Sequence, residues 1–439
     1  MGCALALGWL LGLGVGCGGD DDVDVGDGAE LPDGADGDAD GDAEPDVAPD
    51  GADGDADGDA DADADGDADA DIVDTIPRVN ALAVLTSDYA TGSVAVIDLD
   101  TLDTTVAVNP DALAVHGDAM LSCAPSPEGT LHQTFHVVER LGADRVRLLK
   151  LSAAEVDVLA TLELEDGTNP QDAVPLSVGQ YAVPLYERTG LAFAGEDLGG
   201  VVQTVELAAL ADATDGLPEM HRAVELGDYL YVSLQRLDRS GTTWSPTGPG
   251  VLGLIALSTD GGEHMLLDVD PGTTGTQGIT LLGSNPVGPL RVVTDDLGSR
   301  VMVATVGEYG VNDGGLESVV DPLSGMSAGF AVTEEALGGD LGDWLVLGGI
   351  VGYAVVTAGF SEDRIVRFNL MSGMVDPEPM VVSGGYTLSG LTDLGDGRLA
   401  VSDRTAGAAG IRLFDADSKV ELTAEPIDVG LPPVSSCRP

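Results

Sequence analysis

Residues 89–98 read YATGSVAVID and are the clearest copy of a pattern that recurs along the chain. Together with the strand before it, this copy occupies residues 81–101 and consists of an apolar strand, a turn containing Gly, Asp or Asn, and a second apolar strand. Later copies end near Ser152, Gly195, Thr259, Gly325, Gly373 and Ser418. Corresponding positions Asp98 and Asp415 are six steps apart, a mean period of about 53 residues that is near the length of a propeller blade.

Another apolar strand precedes each later copy, at residues 135–138, 181–185, 229–234, 301–306, 353–357 and 399–402. Many of these strands are apolar at nearly every position, which is typical of sheets buried on both faces, as when blades stack around an axis. The two longest steps end at Ala256 and Asp321, and they predict insertions in the fourth and fifth units. The sequence therefore predicts an all-β fold, a β-propeller of seven blades over residues 75–439.

The copy YATGSVAVID, with the strand before it, resembles the repeat of the YVTN-type β-propellers found in bacterial surface-layer and other exported proteins. The resemblance extends over most of residues 80–430. It implies a propeller in an exported protein and leaves the function open, because propellers serve as binding modules, scaffolds and enzymes alike.

The N-terminus resembles a bacterial lipoprotein signal. Residues 4–15 form an apolar run too short to span a membrane, and the segment Leu13-Gly14-Val15-Gly16-Cys17 resembles a lipobox. The resemblance implies removal of a signal peptide at residues 1–16, lipidation of Cys17 and anchoring at the outer membrane. Ordinary signal cleavage that leaves Cys17 as a free thiol is the alternative.

Residues 17–74 predict a disordered tether rich in Asp, Gly and Ala. From residue 18 to residue 74 the chain has 25 acidic residues and no Lys or Arg, so it has too little apolar surface to fold. Asp61, Asp63 and Asp65 followed by Gly66 match the opening of a calcium-binding loop, but no Glu closes the loop. We expect diffuse calcium association at most and no required cofactor.

The formal net charge is −58, with 76 acidic residues against 18 Lys and Arg. Such a charge makes binding to a phosphate backbone unfavourable, which argues against a nucleic-acid partner. We expect a protein or glycan partner at the cell surface, with membrane contact only through the lipid anchor.

Two polar segments precede the third and fourth units. The first contains Asn169, Gln171 and Asp172, and the second contains Glu219 and Arg222. In propellers of this kind the chain entering a blade lies near the central channel, where amide and carboxylate oxygens would hold a cation such as calcium. The alternative is that these residues form turns between blades.

The loop at residues 235–250 is a third candidate. It contains Arg236, Asp238, Arg239 and Trp244, followed by Pro246 and Pro249. Trp and Arg are enriched at binding hot spots, and Pro lowers the cost of ordering a loop, so this loop predicts a recognition lip. The ordinary alternative is a Trp that packs against its own blade.

No known catalytic motif occurs in the sequence. The histidines His116, His132, His136, His221 and His264 are scattered, and we assign no catalytic residue. The favoured function is therefore a non-catalytic envelope lipoprotein whose propeller binds a partner on one rim. The alternative is a metal-dependent hydrolase of the lactonase or esterase kind, with a cation in the channel.

Cys123 and Cys437 are the only cysteines that remain after export and lipidation. Because an exported protein folds in an oxidising compartment and a propeller must join its last unit to its first, we expect these two residues to form a disulfide. Two separate thiols remain the alternative at this point.

Overall fold

A computed structural model describes residues 80–106, 113–123, 133–151, 156–241 and 244–439. Within these ranges the chain forms seven antiparallel sheets of three to five strands and one separate two-stranded sheet. The seven sheets are the blades of a β-propeller, which confirms the predicted fold and blade number. Residues 1–79, including Cys17, Asp61, Asp63 and Asp65, lie outside the described residues.

The first three blades follow one another along the chain. The first blade contains β1 (Ala81–Ser87), β2 (Thr91–Asp98) and β3 (Thr104–Val106), with β4 (Val115–His116) beside β2 and a last strand, β31 (Pro433–Cys437), beside β1. The second contains β5 (Ala119–Ser122), β6 (Thr134–Glu139), β7 (Arg145–Leu151) and β8 (Val156–Glu163). The third contains β9 (Val174–Pro175), β10 (Gln180–Val183), β11 (Gly190–Gly195) and β12 (Val201–Glu206).

Blades four to seven repeat this order. The fourth contains β13 (Met220–Leu226), β14 (Tyr229–Leu234), β17 (Val251–Ala256), β18 (Met265–Leu266) and β19 (Ile279–Thr280). The fifth contains β20 (Pro286–Asp295), β21 (Gly298–Thr305), β22 (Gly315–Val319) and β23 (Gly329–Thr333). The sixth contains β24 (Asp340–Leu347), β25 (Val351–Ala358), β26 (Glu362–Asn369) and β27 (Val381–Gly384), and the seventh β28 (Leu388–Asp393), β29 (Arg398–Asp403) and β30 (Gly410–Asp415).

The predicted insertion in the fourth unit is present. Between β14 and β17 the chain forms a separate hairpin of β15 (Leu237–Asp238) and β16 (Ser245–Pro246). Helix is scarce in the described residues and consists of the 3₁₀ turns Ala208–Leu210 and Pro322–Ser324 and the single α-turn Glu334–Leu337. No helix among the described residues has the length and apolar character needed to cross a membrane.

The innermost strands form a ring around the axis. They are β31, β5, β9, β13, β20, β24 and β28, and neighbouring members contact one another across the blade boundaries. We call the end of the propeller at which these inner strands begin the mouth, because the loops that enter each blade and the loops between the second and third strands lie there. The second strands run the opposite way and end at the mouth.

The apolar core lies between adjacent blades. One cluster packs Leu82 and Val84 of β1 against Ala400, Ile411 and Leu413 of the seventh blade. Strand β1 is buried at all seven positions, which explains why its sequence ALAVLTS does not alternate. Blades that are covered on both faces therefore produce the continuous apolar runs seen in the sequence.

The C-terminal strand closes the ring. In β31, Cys437 pairs with Ala83 and Ser436 with Val84, so the last strand is the innermost strand of the first blade. Cys437 is joined to Cys123, which follows β5 of the second blade, across a separation of 314 residues. The cysteine pair expected from the sequence is present, and it fastens the last strand at the end opposite the mouth.

Candidate functional site

Arg239 is the centre of a polar cluster at the mouth. Its guanidinium lies 2.8 Å from Glu187 Oε1, 3.0 Å from Asp215 Oδ2 and 2.9 Å from Glu219 Oε1. The loop that contains β15 and β16 places Arg239 there. One cation is thus shared among three carboxylates that come from the third and fourth blades.

The Glu219 carboxyl is fully buried, and its Oε2 accepts a hydrogen bond from the backbone N–H of Leu237. Burial raises the pKa of Glu219 to about 8. The Leu237 N–H and Arg239 lower this pKa, whereas the nearby Asp215 and Asp212 raise it further. Because Arg239 divides its charge among three acids, it does not cancel the cost of burying this one. Glu219 therefore holds a proton near neutral pH.

Aromatic rings surround the same cluster. The Arg239 guanidinium lies 5.3 Å from the Trp244 ring centroid and 5.7 Å from that of Tyr186, distances suited to cation–π contact. Trp244 thus packs on Arg239 of its own loop. The predicted lip residues Arg239 and Trp244 are therefore brought together, and Arg239 joins them to Glu219.

Several buried polar atoms near this cluster have no hydrogen-bond partner among the described residues. They are Tyr186 Oη, Arg236 Nε, Tyr309 Oη and Asp340 Oδ1. Buried polar groups are normally paired, so a group of unpaired atoms at one end of a fold indicates a place for water or a polar ligand. Burial raises the pKa of both tyrosines, so that their hydroxyls stay protonated.

Glu334 lies further around the mouth, between the fifth and sixth blades. Its carboxylate oxygens accept hydrogen bonds from the backbone N–H of Gly314, at 2.9 Å, and of Leu341, at 2.7 Å. Burial raises the pKa of Glu334 to about 8 despite these bonds, and Asp340 and Asp313 raise it further. This part of the mouth therefore has several acids and no basic partner for Glu334 among the described residues.

The aromatic rim continues over the sixth and seventh blades. Phe360 is 45% exposed and stacks on Tyr386, with ring centroids 6.3 Å apart. Gly310, at φ +82°, approaches the Phe360 ring so closely that an added Cβ would lie 2.6 Å from it. The rim is thus packed tightly from the fifth blade to the seventh.

Left-handed backbone conformations occur at several of the blade entries. Non-glycine residues with left-handed φ precede four of the inner strands, namely Asn169, Glu219, Asn285 and Tyr386, with φ between 51° and 61°. Arg236 in the inserted loop has φ 55°. Such conformations cost free energy and are frequent at binding and catalytic sites.

Three other predicted residues, Asn169, Gln171 and Asp172, lie at the entry of the third blade, before β9. Gln171 Oε1 accepts a hydrogen bond from Arg140, and its amide nitrogen donates to Asn169 Oδ1 at 2.8 Å. The carboxylate of Asp172 accepts from the N–H of Ala173 and from that of Ala223 in the next blade. These side chains therefore link blades to one another, as the turn-forming alternative predicted.

The calcium site expected at Asn169, Gln171, Asp172 and Glu219 stays a prediction. No three His, Cys, Asp or Glu side chains converge in a metal-binding geometry within the portion of the chain that the structure describes. Asp172 and Glu219, the two carboxylates proposed as ligands, are taken up by backbone N–H groups and, for Glu219, by Arg239. Calcium binding by this protein stays a prediction.

The described histidines are dispersed. His136 lies buried on β6 with its ring edge against Tyr181, and burial lowers its pKa to about 4. His221 is buried at the start of β13, and burial lowers its pKa as well. His264 contacts Gln180 at 2.9 Å through Nε2. His132 lies outside the described residues.

Sequence reasoning missed much of the mouth, including Tyr186, Asn285, Tyr309, Glu334, Asp340 and Tyr386. The structure also shows an open cleft of about 260 Å³ beside them, lined in part by Pro246, Pro249, Glu308 and Asp313. A usable signal was present: acidic residues directly before an inner strand, as in the TEEALGGD run at 333–340, occur where the chain enters a blade.

No family model matches the chain, and neither does any curated protein. Solved structures do match. A candidate 6-phosphogluconolactonase from Bacteroides uniformis has a TM-score of 0.52 at 13% identity, covering 81% of this chain and 98% of that chain. One from Bacteroides fragilis has a TM-score of 0.50 at 14% identity, covering 81% and 96%.

The periplasmic gluconolactonase PpgL of Pseudomonas aeruginosa is similar to the same extent, with a TM-score of 0.50 at 14% identity, covering 81% of this chain and 98% of that chain. At this level of identity the similarity shows the β-propeller fold and nothing finer.

Proposed function

We propose that the protein is an exported lipoprotein whose propeller binds a glycan at the mouth. The observation that supports this most is the group of buried, unpaired polar atoms: Tyr186 Oη, Arg236 Nε, Tyr309 Oη and Asp340 Oδ1. A sugar hydroxyl both donates and accepts hydrogen bonds, so a polyol satisfies a mixed set of donors and acceptors such as this one.

The aromatic rim supports the same ligand class. Trp244, Phe360 and Tyr386 lie around one end of a chain that is only 4% aromatic, and flat rings pack well against the apolar face of a sugar. The aromatic rings and the unpaired polar atoms thus lie at the same end of the propeller.

The position of the chain's entry into the propeller fits a lipid anchor. Strand β1 begins at Ala81, which pairs with the end of β2, and β1 runs toward the mouth to Ser87. A tether attached before β1 thus joins the propeller at the end opposite the mouth.

Titration with an array of oligosaccharides, followed by calorimetry on hits, tests the binding proposal on the mature chain. We expect Tyr309→Phe to weaken binding at least tenfold. Tyr229→Phe is the matched control because Tyr229 begins β14, at the opposite end. Absence of any glycan hit, or equal weakening by both substitutions, would contradict the proposal.

Metabolic labelling with a fatty acid tests the anchor. We expect wild-type protein to incorporate the label and Cys17→Ser to lose it. Equal labelling of both proteins would show that Cys17 is not the lipidated residue.

Hydrolysis of a sugar lactone is the second candidate function. Glu219 favours it, because a carboxyl with its pKa raised to about 8 holds a proton near neutral pH and could protonate a leaving oxygen. The fold-level similarity to gluconolactonase-like propellers points to the same substrate class. An assay with gluconolactone tests it: Glu219→Gln should abolish turnover and leave glycan binding measurable, whereas no turnover by the wild type excludes this function for that substrate.

A further inference from the structure

We propose that the axial channel contains an anion site, separate from the mouth, in which Arg222 and Arg291 bind a carboxylate or phosphate group. Arg222 lies on β13 three residues beyond Glu219, which is about 10 Å further into the channel at the rise of a β-strand. The site goes beyond the proposed glycan binding and does not depend on it.

Arg222 reaches across the channel without meeting a carboxylate. Its Nη1 lies 2.9 Å from the carbonyl oxygen of Gln171 and 2.8 Å from Sδ of Met120, and its Nε is buried without a partner. A thioether sulfur is a weak acceptor, and a buried guanidinium without an ion pair is costly. None of these contacts of Arg222 is with a carboxylate.

Neighbouring arginines differ from Arg222 in this respect. Arg140 forms an ion pair with Asp118, and Arg291 lies 3.5 Å from Asp343, whereas Arg222 makes no ion pair with any residue in the described ranges. Burial lowers the pKa of Arg222. Asp172 and Asp343 raise this pKa, whereas Arg140 and Arg291 lower it further. Arg222 is therefore the arginine at this level that has no carboxylate within ion-pair distance among the described residues.

The nearby carboxylates cannot easily move to compensate it. Asp343 accepts the N–H of Trp344 at 2.8 Å and the N–H of Leu391, in the next blade, at 2.7 Å. Asp172 is used in the same way between the third and fourth blades. Both acids are thus engaged in joining inner strands, and neither is in hydrogen-bond contact with Arg222.

Solvent reaches this level. The side chain of Arg291 is 39% exposed and that of Asp343 20% exposed. A planar carboxylate or a phosphate fits the fork geometry of a guanidinium and can accept from two arginines at once. In a chain of net charge −58, most of the surface repels such ions, so binding would be confined to this cationic position.

Calorimetry and thermal unfolding of the mature chain with sodium phosphate, and separately with sodium acetate, test the site. Ionic strength is held constant with sodium chloride, because screening alone changes the behaviour of so acidic a protein. We expect saturable binding of at least one anion, with a matching rise in melting temperature. The two arms distinguish a phosphate-selective from a carboxylate-selective site.

Arg291→Gln should weaken the anion affinity at least tenfold, and Arg222→Gln should abolish binding. Arg188→Gln is the matched control, since Arg188 also donates to backbone carbonyls but lies outside the channel. If Arg222→Gln fails to fold, the proposal is still tested by Arg291→Gln and by Arg222→Lys. The lysine keeps the positive charge but lacks the planar guanidinium that binds an anion through two N–H groups. Unsaturable binding by the wild type, full affinity in Arg291→Gln, or equal loss in Arg188→Gln would overturn the proposal.

Discussion

Two fully buried glutamates at the mouth have pKa values that are shifted in opposite directions. Glu139 in the second blade forms ion pairs with Arg145 and Arg147, whereas Glu334, between the fifth and sixth blades, is bonded only to backbone N–H groups. Burial alone would raise the pKa of Glu139, but Arg145, the His116 N–H and Arg147 outweigh it and lower the pKa. At Glu334 burial prevails, and the pKa rises to about 8.

For these two glutamates, both of which are fully buried, the difference follows from the two arginines that contact Glu139 and that Glu334 lacks. The chain has only 18 Lys and Arg residues, and two of them form ion pairs with Glu139. The half of the mouth near Glu334 and Tyr309 lacks such compensation, which leaves free hydrogen-bonding capacity for a ligand. The four predictions that follow test this contrast, beginning with the largest effect.

Replacing Glu139 should be far more damaging than replacing Glu334. Glu139→Gln leaves Arg147, whose side chain is only 7% exposed, without its partner and should cost about 3–5 kcal/mol of unfolding free energy. Glu334→Gln at pH 7 replaces a neutral carboxyl and should cost about 1 kcal/mol, one lost hydrogen bond. Urea unfolding measures both, and equal losses would mean that Glu334 is ionised.

Stability should fall as the pH rises from 7 to 8.5. A carboxyl whose pKa is raised in the folded state binds its proton there while the unfolded chain has released it, so each such group destabilises the fold increasingly until the pH passes the folded pKa. With Glu219 and Glu334 near 8, we expect a loss of about 1–2 kcal/mol.

The range from pH 7 to 8.5 lies above the pH at which histidine titration changes the stability. The pKa of His136 is lowered to about 4, so its contribution has the opposite sign and changes below about pH 6.5. Glu334→Gln should flatten the curve between pH 7 and 8.5. A mutant curve as steep as that of the wild type would rule out Glu334 as a source.

Two tyrosines test the contrast between paired and unpaired hydroxyls. Tyr353 Oη donates to the buried carbonyl of Ala416, so Tyr353→Phe should cost about 1–2 kcal/mol. Tyr186 Oη is buried without a partner, so Tyr186→Phe should leave the unfolding free energy within about 0.5 kcal/mol of the wild type. A clear loss on Tyr186→Phe would reveal a hidden partner, such as an ordered water.

The smallest effect is expected from deleting residues 20–74. A segment of this composition has too little apolar surface to form a core, so the melting temperature should change by no more than about 2–3 °C. The deletion also separates the effect of the buried glutamates from that of the overall negative charge, because it removes a large part of that charge. If the pH dependence between 7 and 8.5 disappears with the deletion, the tether and not the burial of Glu334 is its cause.

The fold was accessible from the sequence because each blade repeats one pattern, and the pairing of Cys123 with Cys437 followed from ring closure. Arg239 and Trp244 were singled out by the composition of the inserted loop, and Glu219 by the polar segment that precedes the fourth unit. Tyr186, Tyr309 and Asp340 were missed because each looks like an ordinary loop residue, and their common location arises only when blades three to six converge. The role of Asp172 in joining the entry of the third blade to β13 was missed because it depends on contacts between blades.

The position of β31 also constrains how the protein is made. Strand β1 is among the first to be synthesised, yet its inner neighbour is β31, 346 residues later if counted from Ser87 to Pro433. A chain exported from its N-terminus must therefore keep the inner edge of the first blade unpaired until the last few residues emerge. Exposed strand edges invite pairing between chains, so a nonsense codon just before residue 433 should turn a nearly complete protein into an aggregating one.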